Sequence, residues 1–323
     1  MTYRDISFAF FVAAVIALGP AKGLAADAAE RLYDPPVGSK WIIDSEIRSA
    51  DNRPDGPRSS VTKFRAELTV DARTPDGFRI TYVNRGTSIE GNDPTAPLLR
   101  PAMKALENIA IHASTDLSGK PVRVDNLDEA KAAMRAMVDS LSTPFQDKPQ
   151  VLAVLKQILN NVIEVDAERA AESYLEGMTS LTRAQNTGMK LGETRRASHA
   201  ADNPLGGGSG TLKSNEAFEL TEVDPATGKR VYVSTIAYDM ASMKEFLQSV
   251  TRKLMAAADS GVNPERIDGL VKSMVLTLDE RTVYEVEDGM TRKVTEKSVS
   301  TARAMGHNLQ KTGDRTITVT RAP

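Results

Sequence analysis

Three kinds of residue in this chain could carry chemistry: a glycine-rich run ending in Lys-Ser, three histidines, and two spaced methionine pairs. The run is NPLGGGSGTLKS, Asn203 to Ser214. A phosphate-cradling loop needs a glycine, four residues and then Gly-Lys-Ser/Thr, set between a buried strand and a helix N-terminus. Here Thr211 and Leu212 intervene after Gly210, so Lys213 falls two positions late. The dinucleotide fingerprint fails too, since no glycine follows three places after Gly210. Phe218-Glu219-Leu220-Thr221 continues as strand rather than helix, so no helix N-terminus points at the loop. Gly207-Gly208-Ser209-Gly210 also lacks the residue that a Gly-x-Ser-x-Gly nucleophile elbow needs. The run reads as the loop of a long hairpin.

Zinc sites draw on dense histidine and cysteine ligation. This chain has no cysteine, and His112, His199 and His307 are not paired at helical or hairpin spacing. Each reads as a lone polar residue. A Ser-His-Asp arrangement is not local in sequence, so spacing leaves that possibility open. Met134/Met137 and Met240/Met243 could offer thioethers to copper(I). Both pairs lie within apolar helical stripes, where methionine fills uneven interior space. Asp279-Glu280 and Glu285/Glu287 read as solvated strand edges. The residues therefore predict no catalytic constellation, no metal and no cofactor.

The elements that carry these residues are legible from periodicity. Trp41–Ser49, Thr62–Val70 and the stretch from Phe78 alternate apolar and polar residues, which marks an antiparallel sheet with one buried and one wet face. A Pro-punctuated stretch, Asn92–Pro101, leads to a short helix near Met103–Asn108. Ile109–Thr115 and Pro121–Val124 follow as a hairpin. Asn126 and Glu129 form a capping-box pattern ahead of a stripe of Leu127, Ala130, Met134, Met137, Val138 and Leu141. Two helices are predicted over 149–165 and 166–175. The order then repeats: Leu191-Gly192-Glu193 opens a strand as Val37-Gly38-Ser39 does. A hairpin joins Phe218–Val223 to Val231–Tyr238, and Asp239 caps a helix. Asn263-Pro264 starts another helix. Strands follow over Met274–Val286, Met290–Val299 and Arg315–Arg321.

Ser7–Leu18 is an apolar run broken by Gly19-Pro20, with small residues at Gly23 and Ala25. That is the pattern of a secretory signal peptide over 1–25, cut near Ala25 or Ala26, and it is too short for a membrane span. No later stretch is apolar enough to span a bilayer, so the expected location is periplasmic. The 41 basic and 43 acidic residues leave a net charge of −2, which argues against nucleic acid as a partner. The remainder, 26–323, reads as one α+β domain: a large curved antiparallel sheet with amphipathic helices on one face. Its candidate pseudo-repeats are 37–186 and 187–323, which would make it a duplicated half-barrel.

This element order, across Lys40 to Arg321, resembles the bacterial outer-membrane lipoprotein-carrier superfamily. The resemblance implies an open half-barrel whose concave face is covered by helices and holds acyl chains. The Gly-Ser-Lys-Trp start and the Thr-Asp-Leu-Ser-Gly-Lys hairpin also resemble exported proteins of Gram-negative bacteria. Neither resemblance transfers functional residues. The expected function is a non-enzymatic binding protein for a hydrophobic or lipid-like envelope ligand, with no protein partner named. Its groove candidates are Phe64, Leu68, Ile80, Met134, Met137, Met243 and Phe246. The alternative is a structural or interaction module of the cell envelope, with a filled interior and no ligand.

Overall fold

The computed structural model describes residues 30–53, 56–94, 96–143, 145–146, 149–201, 211–257, 269, 271, 273–304 and 307–323. The signal-peptide segment, the glycines of the Asn203–Gly210 run and the Asn263-Pro264 helix start lie outside the described residues.

The chain opens with three long strands, β1 (Lys40–Arg53), β2 (Gly56–Thr74) and β3 (Gly77–Gly91). Helix α1 (Ala96–Ala105) leads to the hairpin β4 (Ala110–Thr115) and β5 (Pro121–Val124). Four helices follow: α2 (Leu127–Ser140), α3 (Pro149–Ile163), α4 (Ala167–Tyr174) and α5 (Glu176–Thr182). A second run of strands begins with β6 (Thr194–Ala201), β7 (Leu212–Val223) and β8 (Arg230–Tyr238). Then come α6 (Met240–Ala257), β9 (Val275–Glu287), β10 (Met290–Ala304) and β11 (His307–Arg321).

All the strands join one 11-stranded antiparallel sheet in the order β5-β4-β3-β2-β1-β11-β10-β9-β8-β7-β6. The sheet is open, with β5 and β6 at its two edges. Bulges interrupt the β2–β3, β4–β5, β7–β8 and β9–β10 ladders, and each bulge bends its strand and adds twist.

The register sorts side chains into an inner face, which carries the core, and an outer face in solvent. Trp41, Leu68 and Tyr82 lie in one inner row, Val70, Ile80 and Ala113 in the next. These inner residues and Ile317, Val319, Tyr284 and Val286 form the main core, closed by Ala170, Ala171, Leu175, Met178 and Leu181 from α4 and α5. Small alanines on α4 let it sit close against β5, and so cover that edge of the sheet.

An N-terminal strap locks this apolar end. Tyr33 is 5% exposed and meets Phe78 edge-on at 5.3 Å. Its backbone N–H donates to Asn186 Oδ1 at 2.7 Å. The buried Glu30 carboxylate accepts from the Gly188 N–H at 2.6 Å and from the Tyr232 hydroxyl at 3.1 Å. Gly119 lies so close to Tyr33 that a Cβ there would fall 2.6 Å from the ring.

The two halves enter the sheet in the same way. The Gly38 N–H donates to the Val70 carbonyl at 2.8 Å, and the Gly192 N–H donates to the Leu220 carbonyl at 2.8 Å. Val70 and Leu220 are both fully buried, and each is followed by a bulged residue in its strand. Gly38 and Gly192 have φ of +82° and +79°, the left-handed region that glycine occupies without a Cβ penalty.

Several expectations change on contact with the structure. Helix α1 begins seven residues before Met103 and contains Pro101; Pro97 and Pro101 sit within the helix rather than ahead of it. Asn126 stands at the N-cap of α2 but makes no capping bond. Its amide donates instead to the Ala110 carbonyl and the Glu129 carboxylate, while its oxygen accepts from the His112 N–H. Helix α5 was not anticipated. By contrast Asp166 and Asp239 cap α4 and α6, accepting from Arg169 N–H at 2.8 Å and Ser242 N–H at 2.6 Å.

Candidate functional site

Away from the apolar end, the inner face turns polar. One register row runs Phe218, Ser234, Thr282, Glu296, Arg315, Ile47, Thr62. The next runs Ala197, Glu216, Ile236, Glu280, Ser298, Gly313, Ser49, Ser60. Ile47, Ser49, Ser60, Thr62, Glu280, Glu296 and Arg315 are all half-buried. An inner face that was simply sealed by packing would hold these side chains as far from water as Leu68 or Val70.

The centre of this seam is Glu216, 4% exposed on β7. Arg183, the C-cap residue of α5, forms an ion pair with its Oε2. His199 Nε2 lies 3.0 Å from the same oxygen, and the Ser234 hydroxyl donates to Oε1. A buried carboxylate is tolerated only with such partners. The neighbouring Glu280 accepts a 3.0 Å hydrogen bond from Tyr238. Burial, and then the Glu296 carboxylate beside it, hold the Glu280 pKa above the usual glutamate range. Burial also raises Glu176 at the start of α5, against the pull of Arg315.

Among the described residues, Arg315 Nε and the Ser45 and Ser214 hydroxyls are buried without a hydrogen-bond partner. Ser214 faces His199 directly across the β6–β7 ladder. Ser214, His199 and Glu216 are therefore the residue types of a nucleophilic triad. The geometry does not assemble one, because the Ser214 hydroxyl makes no bond to the imidazole and is 2% exposed. A nucleophile needs its base within hydrogen-bond reach and its oxygen open to substrate. His199 and Glu216 belong to a packed polar network, and Ser214 is buried beside it without a bond to either.

The structure separates the seven groove candidates. Leu68 and Ile80 are each 1% exposed within the main core, and Phe246 on α6 is 3% exposed. Phe64, Met134, Met137 and Met243 remain half-buried. Phe64 shares its inner row with Ser45 and Thr87. Met134 rests against the sheet core, whereas Met137 belongs to a separate cluster among the helices with Ala102, Leu141 and Phe145. The candidates thus do not form one patch: three are sealed and four line partly accessible surfaces.

Helix α3 is the most apolar of the described helices, and its sequence PQVLAVLKQILNNVI is apolar on more than one side. Its principal neighbours are helices, α2 on one side and α6 on the other, with α4 following. The helix α2 adjoins α1, which rests on β3, while α6 rests on β7. Helix α3 therefore bridges helices that sit on opposite wings of the sheet.

Two sequence readings need correction. Asp279 is exposed, but Glu280 points inward, because alternation sends adjacent strand residues to opposite faces. His199 was expected to be a lone polar residue and instead contacts a buried carboxylate. The strand neighbours of Glu280 and His199 were the available signal, since each strand alternates through it. As for the glycine run, β6 and β7 pair directly from Ala201↔Leu212, so the run joins two antiparallel strands and no helix follows it. Among the described residues no group of three histidine or acidic side chains could hold a metal ion. No described helix is long and apolar enough to cross a membrane.

No family model and no curated protein matches the chain. Among solved structures, a lipovitellin described for its lipid–protein interactions aligns with a TM-score of 0.41 at 8% identity, over 89% of this chain. The chain spans only 26% of that lipovitellin chain. OprB of Pseudomonas putida aligns at 0.29 and 8% identity, over 88% of this chain and 94% of its own. An outer-membrane channel of Pseudomonas putida F1 aligns at 0.16 and 8% identity, over 92% and 100%. Likeness at this level carries no functional argument.

Proposed function

We propose that this chain is a non-enzymatic binding protein of the bacterial periplasm for a hydrophobic or lipid-like ligand, held between the inner face of the sheet and the helices. The observation that carries the reading is the bridging of α3. An apolar helix packs on α2 and α6 rather than flat on the strands, and the polar rows of the inner face are only half-buried. Binding pockets for apolar molecules combine mostly apolar walls with a few polar groups that fix orientation. Phe64, Ile47, Ile89, Met134 and Met243 supply half-buried apolar surface, and Arg315 and Glu296 supply polar groups. In this reading the sealed residues Leu68, Ile80 and Phe246 anchor the scaffold, and the groove begins where the inner face turns polar. The matched clamps at Gly38–Val70 and Gly192–Leu220 support a second part of the proposal, that 37–186 and 187–323 are pseudo-repeats.

Native mass spectrometry of the mature protein, purified from its own envelope without detergent, tests the binding. The expected spectrum contains an adduct of lipid mass that organic extraction removes. An apo mass alone, with no uptake of added fatty acid, would favour the alternative of a structural module with a filled interior.

A further inference from the structure

The outer face of β6 to β10 holds a hollow of about 850 Å³. It lies on the side of the sheet opposite the helices. Its lining alternates with the register: Arg196 and Ser198, Asn215 and Ala217, Thr235 and Ala237, Asp279 and Arg281, Lys297 and Val299 all point outward. The floor is low because β7 and β8 present the short side chains Asn215, Ala217, Thr235 and Ala237 there. The walls are Arg196 on β6 and Arg281 and Lys297 on β9 and β10. With strands about 4.8 Å apart, the trough from β6 to β9 is about 14 Å wide.

Elsewhere on the outer face several cations form ion pairs with acids: Arg65 with Asp44, Arg85 with Glu67, and Lys229 and Lys293 both with Glu285. In the hollow, Arg281 and Lys297 stand directly opposite each other in the β9–β10 register, and Lys297 faces Asp314 across the β10–β11 ladder. Like charges placed so are mutually destabilising. Among the described residues, neither they nor Arg196 makes an ion pair, even though Asp279 shares the hollow. A bound anion between Arg281 and Lys297 would relieve their mutual repulsion. The methyl groups of Ala217, Ala237 and Val299 give that anion's body an apolar seat.

We infer that this hollow is a second binding site, for an amphiphile bearing a phosphate or carboxylate, with the anion held by the adjacent Arg281 and Lys297 and the apolar part over Ala217, Ala237 and Val299. The site is independent of the space beneath the helices. Its ligand is either a monomeric anionic amphiphile or the headgroup of an anionic lipid in a membrane surface, and the same chemistry serves both.

The test uses the full mature protein and two probes. Dihexanoyl phosphatidic acid, kept monomeric, is titrated by calorimetry. Vesicles of phosphatidylcholine, with and without phosphatidic acid, are used for co-flotation. Arg281→Gln/Lys297→Gln removes the charge, and Ala237→Leu fills an exposed part of the floor; both positions are solvent-facing, and thermal melts confirm folding. The expected result is binding that weakens with salt and falls at least tenfold in the double variant. Loss of monomer binding in Ala237→Leu as well assigns the soluble amphiphile. Binding to acidic vesicles alone, lost in the double variant, assigns the membrane headgroup. No binding of either probe, or binding that both variants leave unchanged, overturns the site.

Discussion

Glu216 is the residue on which the inner seam depends. Its two oxygens serve Arg183, His199 and Ser234, so removing it leaves two buried polar groups and a partly exposed cation without their partner. Glu216→Ala is expected to lose about 3 kcal/mol, in line with broken buried pairs, read as a lower urea midpoint. Glu216→Gln keeps an acceptor for Ser234 and should lose less. Glu280 behaves in the opposite sense. Its folded pKa lies above the ordinary value of 4.5, chiefly through burial, so the folded state binds the proton more tightly. The stability this contributes is present in full below about pH 4.5 and is lost as pH rises through the folded value. Glu280→Gln should therefore melt higher than the parent at pH 7, by about 2 °C for a gain near 1 kcal/mol, and the gap should close at pH 4. A gap that persists at pH 4 would show that charge is not the cause.

At the scale of elements, the two entry glycines make a paired prediction. Gly38 and Gly192 hold nearly the same positive φ, and at neither would a Cβ meet a neighbour within 4 Å. Only backbone conformation opposes substitution. Gly38→Ala and Gly192→Ala should each lose about 1 kcal/mol, with the double variant additive. Gly119→Ala is a different case, because its Cβ would strike the Tyr33 ring. It should loosen the strap and expose the N-terminal residues to limited proteolysis.

The same scale shows how far the sequence was legible. Alternation found the cores of β1, β2, β9 and β10, and all their hairpin partners. It stopped short where strands run on: β1 reaches Arg53, β2 starts at Gly56, and β11 starts at His307. In those extensions the inner positions include Asp51, Ser60, Lys311 and Gly313, so most of the apolar half of the alternation is missing while the ladder continues. The stretch that hid the strand ends is the polar seam itself. Helix α1 was misplaced because its prolines read as punctuation: Pro97 falls in the first turn, where a proline gives up no intrahelical bond, and Pro101 lies inside the helix. The chemistry of Glu280 and His199 was hidden because it depends on what faces them across the inner surface. Charge type alone suggested solvent.

At the scale of the molecule, an open sheet must cover its inner face or leave it wet. The α4–α5 end is covered by close packing and closed by the strap. The other end is spanned by α3 between two helices on opposite wings, and that difference is why a ligand is placed there. Photolabelling the mature protein with a diazirine fatty acid, followed by peptide mapping, tests this most directly. The account predicts labels on inner-face and lid peptides, in β2 around Phe64 and in α2 around Met134, displaced by excess unlabelled fatty acid. Absence of displaceable label, or label confined to strands β6–β10 with none on β2 or α2, would contradict it.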